Sequence, residues 1–178
     1  MEWTGARYAD KPTVEVETFI AAPPSAVWDY VTDVGLMPEM SPELRRVEWQ
    51  DGATGPSLGA RFIGYSKHEA LGEWHTTSTV VEYEPGHVFG WAVQDPENPT
   101  ALWRFTLEPR GGGTALRQWM QLGPARSGLS FAIDRMPEKE QKIVFVRMRE
   151  FETNMTGTVA AIKERVEGAT AASSVGGS

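Results

Sequence analysis

In several segments, large apolar residues occupy every second position, and a few polar side chains that could contact a ligand stand among them. Four of them share the parity of those apolar residues and are predicted to face the interior: Ser66, Thr76, Ser78 and Gln118. A buried hydroxyl or amide costs free energy unless it finds a hydrogen-bond partner. Two interpretations stay open. The groups meet bound water or a polar part of a ligand, or they hydrogen-bond across neighbouring strands.

His68 is the best candidate for a general acid or base, because the usual pKa of histidine is about 6.5. It ends a segment in which Phe62 and Ser66 share its parity, so it could reach the mouth of an interior cavity. The alternative is an exposed histidine in a hairpin, beside Glu69. His68 and Gln118 are therefore the two candidate catalytic residues, with Gln118 placed to orient a carbonyl group of a ligand.

The sequence lacks the residues that several kinds of chemistry require. The chain has no cysteine, which excludes disulfide scaffolds, cysteine nucleophiles and iron–sulfur ligation. Its three histidines share no metal-ligand spacing, so we predict no metal site and no cofactor. Parity places Glu82 as the only acidic residue facing inward, and it places Arg104 and Arg117 outward. We therefore expect a pocket that binds a ligand and fixes its conformation, rather than one that supplies a nucleophile or paired acidic groups.

The charge and hydropathy of the sequence argue against some classes of binding partner. Among 178 residues, 17 Lys and Arg stand against 24 Asp and Glu, and the formal net charge of −7 argues against nucleic acid. No apolar run approaches the roughly 20 residues that span a bilayer, so no stable membrane insertion is expected. Met1–Asp10 lacks the pattern of a signal peptide, and we expect a cytoplasmic protein. The expected partner is a hydrophobic small molecule, while the oligomeric state stays open.

Seven segments alternate between apolar and polar residues and are predicted to be β-strands. They are residues 13–21, 44–50, 60–68, 73–83, 88–93, 100–107 and 115–122. Two short helices are predicted between the first two strands, beginning after Pro23 and Pro24. The other connections are too short for crossover helices, so the strands should pair antiparallel.

A long helix is predicted from about Pro137 to Glu167. Its apolar residues recur every three or four positions from Val144 to Val166, as in a helix with one buried side. Such a helix needs a broad apolar surface, which only the sheet provides. The predicted fold class is α+β, a seven-stranded antiparallel sheet curled around a long C-terminal helix. One domain should span residues 11–167, followed by a disordered tail of small residues at 168–178.

Strand parity assigns a set of side chains to the concave face of that sheet. They are Phe62, Ser66, Trp74, Thr76, Ser78, Phe89, Trp91, Trp103, Phe105, Gln118 and Met120, and the long helix adds Met148, Phe151 and Met155. One interpretation is an aromatic-walled pocket that stacks on a flat or long apolar ligand, and the alternative is that the rings fill the core. Residues 123–136 are predicted to form a flap over the pocket mouth or a short helix on the sheet edge.

Several stretches in this order carry a family resemblance that covers nearly the whole chain from Val14 to about Lys163. They are Ile20–Asp33, Met40–Glu43, Leu58–Phe62, Trp74, Glu84–Gly86, Phe89–Trp91, Gly112–Thr114, Gly123–Pro124 and Ser127–Leu129. The chain resembles the START-like superfamily, also called SRPBCC, and within it the bacterial polyketide cyclase/dehydrase-like members. The resemblance implies a helix-grip fold with a cavity between sheet and helix for a hydrophobic small molecule.

The resemblance implies functions of three different classes, because fold alone does not choose among them. The first is binding of a polyketide, aromatic or lipid-like molecule together with its cyclisation or dehydration. The second is a non-catalytic carrier or sensor for a lipid, quinone or aromatic metabolite. The third is a protein-interaction module of the chaperone-activator type, which a filled core would favour.

Overall fold

Seven antiparallel strands, four α-helices and three short 3-10 helices are present in the computed structural model, which describes residues 1–175. The strands are β1 (Thr13–Ile20), β2 (Leu44–Trp49), β3 (Arg61–His68), β4 (Gly72–Glu84), β5 (Val88–Val93), β6 (Ala101–Arg110) and β7 (Gly113–Leu122). The helices are α1 (Pro24–Thr32), α2 (Met37–Met40), α3 (Gly128–Arg135) and α4 (Glu140–Val175). The predicted α+β fold, an antiparallel sheet with a long C-terminal helix, is confirmed.

The strands form one sheet in the order β1-β7-β6-β5-β4-β3-β2. From β2 to β7 each strand pairs with the next one along the chain, and β7 then pairs with β1. The tight β6–β7 turn depends on Gly111 and Gly112, whose φ values of 54° and 80° are adopted by glycine without strain. The two edges of the sheet are therefore β1 and β2, and α1 and α2 connect them.

α1 begins directly after Pro23, and Pro24 occupies its first position because a proline there loses no hydrogen bond. Val27 and Val31 of this helix are 0% and 1% exposed and belong to the hydrophobic core. After the helix ends, the Asp33 carboxylate accepts a hydrogen bond from the next turn of chain. Burial of one face of α1 thus fixes the connection that leads from β1 towards β2.

α4 is 36 residues long, which corresponds to about 54 Å at the usual helical rise. Its buried side chains follow the stripe that the sequence spacing predicts: Val144, Met148, Met155, Val159, Ile162 and Val166, none more than 3% exposed. The helix packs mainly against β1 and α1. Among residues 1–175, no helix is both long and apolar enough to cross a membrane.

The C-terminal end of α4 lies beyond the predicted domain boundary at Glu167. The sequence predicted disorder from Gly168, whereas residues 168–174 are helical and exposed. Three of these residues are alanines, which favour the helix, and nothing in the segment stops it. The remainder of the predicted tail, residues 176–178, lies outside the described residues.

A β-bulge in β4 changes which of its side chains face inward. Val80 pairs with Trp91 but Glu82 pairs with Gly90, so the strand carries one extra residue between these pairs. The bulge moves Glu82 to the outer face, where its Oε2 lies 3.1 Å from Nε of Arg104. The predicted inward position of Glu82 is wrong, because simple alternation does not count the extra residue.

Leu116→Ala is expected to lower the free energy of unfolding by about 2–5 kcal/mol, because it removes buried methyl groups and leaves a void. Leu116 in β7 is fully buried, whereas Leu58 is 69% exposed before β3. The matched control Leu58→Ala should therefore change stability by less than about 0.5 kcal/mol. Urea unfolding followed by tryptophan fluorescence measures both values, and similar losses in the two variants would contradict the assigned core.

Candidate functional site

A cavity of about 1100 Å³ lies between the concave face of the sheet and α4. Eleven of the residues that the sequence assigns to the site line it: Phe62, Ser66, Trp74, Thr76, Ser78, Trp91, Trp103, Phe105, Gln118, Phe151 and Met155. Other parts of the wall come from α1, α2, β2 and the loops at one end of the sheet. The aromatic side chains therefore surround an open space rather than filling it.

Large rings form a continuous row along the cavity wall. The Trp91 and Trp103 rings are nearly parallel, at 12°, and their centroids lie 6.4 Å apart. Phe151 of α4 meets the Trp103 ring edge-on at 5.5 Å, and Phe62 meets the Trp91 ring at 5.9 Å. Because each ring is held by its neighbours, the wall offers preformed flat surfaces on which another ring system can stack.

Three residues predicted to line the pocket belong to the packed core instead. Phe89 and Met120 are 0% exposed and Met148 is 2% exposed, and none of them lines the cavity. Met120 and Met148 share a cluster with Val14 of β1, the strand on which α4 lies. Strand parity predicts which face of the sheet a side chain is on, but not how close the helix lies to that face. For this reason it could not distinguish core residues from cavity-lining residues.

His68 does not line the cavity, so the prediction that it reaches the cavity mouth is corrected. Its Nδ1 accepts a hydrogen bond from the N–H of Ala70 at 3.0 Å, so the ring N–H lies on Nε2. Nε2 lies 3.5 Å from Oε2 of Glu150, in an outer groove of about 560 Å³. The ring therefore turns towards the Glu150 carboxylate, and His68 contributes no part of the cavity lining.

A buried ion pair at the cavity wall joins two residues that the sequence did not assign to it. Arg147 of α4 donates from Nη1 to Oε1 of Glu43 at 2.7 Å and from Nη2 to Oε2 at 2.8 Å. The side chains of Arg147 and Glu43 are 8% and 16% exposed, and both residues line the cavity. Two parallel hydrogen bonds of this kind fix the orientation of both groups.

The position of Arg147 has a signal in the sequence. It lies three residues after Val144 and four before Phe151, which places it beside the buried stripe of the helix. Parity rules that consider only the strands miss such a residue, and for that reason they placed no arginine in the interior. Glu43 follows Pro42 in the connection between α2 and β2, where no periodic pattern could identify it.

Further contacts complete this ion pair. Asn154 Nδ2 donates to Oε1 of Glu43 at 3.1 Å, and Arg147 Nη1 also donates to Glu150 at 2.9 Å. Burial lowers the pKa of Arg147, but the hydrogen bonds and negative charges of Glu43 and Glu150 outweigh it and raise the pKa above its usual value. The guanidinium is therefore charged throughout the physiological pH range, and it lies 4.2 Å above the Phe151 ring.

Glu43, His68 and Glu150 each place one potential metal-ligand atom within 4.8 Å of the others. Arg147 already donates hydrogen bonds to both carboxylates, so a metal cation at this point would be repelled by the guanidinium. The cluster is an ion-pair network in which arginine supplies the positive charge. It therefore adds no support for a metal site.

Gln118 carries an unpartnered polar atom in the cavity wall. The residue is 6% exposed and lines the cavity, and its carbonyl oxygen Oε1 has no hydrogen-bond partner among residues 1–175. A buried polar group in this state costs about 1–3 kcal/mol. Because a ligand donor would remove that cost, Gln118 favours a ligand that carries a polar group.

Loops at one end of the sheet form the rim of the cavity. They include Leu71 in the β3–β4 turn, Asp95 in the β5–β6 loop and much of the segment after β7. That segment contains α3, so of the two predicted alternatives a short helix is present, and it lies at the rim rather than apart from it. Leu129 of α3 is 8% exposed and holds the helix in place, whereas Phe131 is 67% exposed.

One family model matches most of the chain. The family is described as polyketide cyclase/dehydrase and lipid transport, and the match covers residues 11–167. A search of curated proteins finds no match. The matched range has the same limits as the domain that the sequence predicts.

Solved structures share this fold. A polyketide-cyclase-like protein from Corynebacterium glutamicum is 30% identical, and the match covers 87% of this chain and 91% of that one with a TM-score of 0.63. The Zhui aromatase/cyclase from Streptomyces sp. R1128 is 15% identical over 88% and 93%, with a TM-score of 0.62. The di-domain ARO/CYC protein StfQ of the steffimycin biosynthetic pathway is 18% identical over 89% and 51%, with a TM-score of 0.68. The last two likenesses concern the fold alone.

Arg147→Met is expected to lower the free energy of unfolding by about 3–5 kcal/mol, because it leaves the Glu43 carboxylate buried without its partner. Arg165→Met is the matched control, since Arg165 also joins α4 to an acidic residue, Glu39. The side chains of that pair are 36% and 55% exposed, so its loss should cost less than about 1 kcal/mol. Urea unfolding measures both variants.

The double variant Arg147→Met/Glu43→Leu provides the internal check. It removes both charges together, so most of the stability lost in Arg147→Met should return. Equal losses in Arg147→Met and Arg165→Met would contradict the burial of the ion pair.

Proposed function

The chain belongs to the polyketide cyclase/dehydrase and lipid transport family, and from that premise we propose that its cavity binds a hydrophobic small molecule with a flat ring system. The observation that carries this proposal is the cavity of about 1100 Å³ with Trp91 and Trp103 stacked in its wall. Cavities of roughly 300–1000 Å³ hold drug-sized ligands. A polyketide, aromatic or lipid-like molecule of several rings fits this size and this surface.

The cavity also supports one candidate class of function over another. A protein-interaction module needs no internal cavity, and a filled core would have favoured it. Large aromatic side chains that line a cavity instead support a small-molecule ligand, since such a ligand would supply dispersion contacts to the faces of these rings that no other side chain covers. The polar groups of Ser66, Thr76, Ser78 and Gln118 in the same wall support a ligand that carries some oxygen or nitrogen atoms.

The fluorescent probe 1-aminoanthracene is expected to bind at a single saturable site. Trp103→Ala should weaken this binding about tenfold, because it removes a stacking surface from the cavity wall. Trp119→Ala is the matched control, since Trp119 lies on the outer face against Arg104, whose Cζ is 4.6 Å from its ring. Fluorescence titration measures the dissociation constants. Absence of saturable binding, or equal effects of the two variants, would contradict a ligand cavity.

A second proposed activity is cyclisation or dehydration of the bound ligand. The aromatase/cyclase descriptions of two similar structures support it, as do the polar groups within the cavity. The aromatic wall would fold a flexible substrate so that reacting atoms lie close together, and the amide N–H of Gln118 would donate to a carbonyl group and orient it. Because His68 lies in the outer groove, catalysis in this proposal depends on positioning more than on proton transfer by histidine.

Recovery of a bound molecule distinguishes a catalyst from a carrier. Mass spectrometry of ligand extracted from protein purified from its natural host identifies the compound class. Related unreacted compounds can then be incubated with the ligand-free protein. Loss of one molecule of water, or conversion to an isomer of the same mass with a different retention time, supports catalysis, whereas stoichiometric recovery of the unchanged compound supports a carrier for lipids, quinones or aromatic metabolites.

Gln118→Leu is expected to remove the preference of the cavity for a hydroxylated ligand. The unaltered protein should bind 2-naphthol several-fold more tightly than naphthalene, because the hydroxyl can donate to the unpartnered Gln118 oxygen. In Gln118→Leu the two affinities should be equal, and the melting temperature should not fall. His68→Ala is the control and should leave the preference unchanged. A preserved preference in Gln118→Leu would exclude this residue from ligand binding.

A further inference from the structure

One edge of the Arg147 guanidinium is a polar contact point in the cavity wall that the ion pair does not use. We propose that this edge binds a neutral carbonyl oxygen of the ligand, and that Glu43 makes the site select a ketone over a carboxylate. The inference rests on the proposed function, because it assigns the polar part of the ligand that the same cavity would hold.

Two N–H donors of Arg147 remain without a partner among residues 1–175. A guanidinium group carries five N–H bonds. Three of them donate to carboxylates, since Nη1 contacts Glu43 and Glu150 while Nη2 contacts Glu43. The two that remain belong to Nε and Nη2, and in a planar guanidinium they point in parallel from one edge. Such an edge matches one carbonyl oxygen or two neighbouring oxygens.

The free edge is accessible from the cavity. Arg147 lines the cavity but not the outer groove that contains His68 and Glu150. Within residues 1–175, Nε of Arg147 has no hydrogen-bond partner, and it does not belong to the fully buried unpartnered atoms. Nε of Arg147 therefore keeps some exposed surface, and the open space that this residue lines is the cavity.

The surrounding charges decide which kind of oxygen the edge favours. Glu43 neutralises the guanidinium through two hydrogen bonds, and Glu150 contributes a second negative charge at 2.9 Å. A ligand carboxylate would add a third negative charge to a largely buried site and would lose its hydration. A neutral carbonyl has a smaller desolvation cost and still accepts hydrogen bonds from a cationic donor. The ion pair therefore suits an acceptor without net charge.

The aromatic rings next to Arg147 offer contacts for the rest of the ligand. Cζ of Arg147 lies 4.2 Å from the centre of the Phe151 ring, and Phe151 meets the Trp103 ring at 5.5 Å. A ligand whose carbonyl group accepts hydrogen bonds from the free edge of Arg147 thus has aromatic side chains beside its ring system. One molecule can use the polar and the aromatic contacts together, which points to a flat aromatic or polycyclic ketone as the ligand class.

Three compounds with one ring system test the inference: fluorene, 9-fluorenone and fluorene-9-carboxylate. Isothermal titration calorimetry gives the dissociation constant of each. For the unaltered protein we expect 9-fluorenone to bind at least about tenfold more tightly than fluorene, the size expected for hydrogen bonds to a charged donor. Fluorene-9-carboxylate should bind most weakly of the three.

Arg147→Lys tests the donor edge, because lysine keeps a positive charge beside Glu43 but lacks the planar pair of donors. It should bind fluorene and 9-fluorenone equally. The double variant Arg147→Met/Glu43→Leu tests the same loss of preference without leaving any unpaired charge. Glu43→Gln removes the counter-charge, so it should raise the affinity for fluorene-9-carboxylate at least about tenfold. Arg165→Met, which changes an exposed ion pair of the same helix, should retain the full preference for the ketone.

Equal binding of fluorene and 9-fluorenone by the unaltered protein would overturn the inference and leave the proposed function intact. A ketone preference that persists in Arg147→Lys and in the double variant would also overturn it, as would tightest binding of the carboxylate by the unaltered protein. Failure of all three compounds to bind would instead contradict the proposed function.

Discussion

The packing of α4 along β1 and α1 is the contact on which the rest of the structure depends. A single helix about 10 Å wide cannot cover the concave face of seven strands, so burial of its apolar stripe at one side leaves other strands uncovered. Interior side chains close to the apolar stripe of α4, such as Met120, are fully buried in the core. Those farther away, such as Trp74 and Trp91, border open space. The cavity is therefore a consequence of where the helix lies.

The Glu43–Arg147 ion pair joins two parts of the cavity wall. Arg147 belongs to α4, while Glu43 lies in the connection between α2 and β2. A charged pair in a mostly apolar wall is stable only while both partners are present, because desolvation leaves either charge costly alone. The same pair gives the wall a fixed, polar and almost neutral region. The proposed binding selectivity and the closure of the wall thus depend on one set of hydrogen bonds.

Much of the fold could be predicted from local patterns. Alternation identified the seven strands, helical spacing identified α4, and the short connections required antiparallel pairing, because these features depend only on which residues must be buried together. Prediction of the site was less complete. Parity placed Gln118 and Trp103 correctly in the cavity wall, but the bulge in β4 moved Glu82 outward, and His68 turned towards Glu150 in the outer groove.

The sequence by itself determined which side chains face the interior, since burial of apolar residues has the period of the strand or helix that carries them. Only the tertiary structure decided which interior residues meet the helix and which line the cavity. It also decided the partners of charged groups, because Glu43 and Arg147 are 104 residues apart in the chain and come together through packing alone. A periodic pattern specifies direction from the backbone, whereas a binding site depends on distances between elements that no local pattern contains.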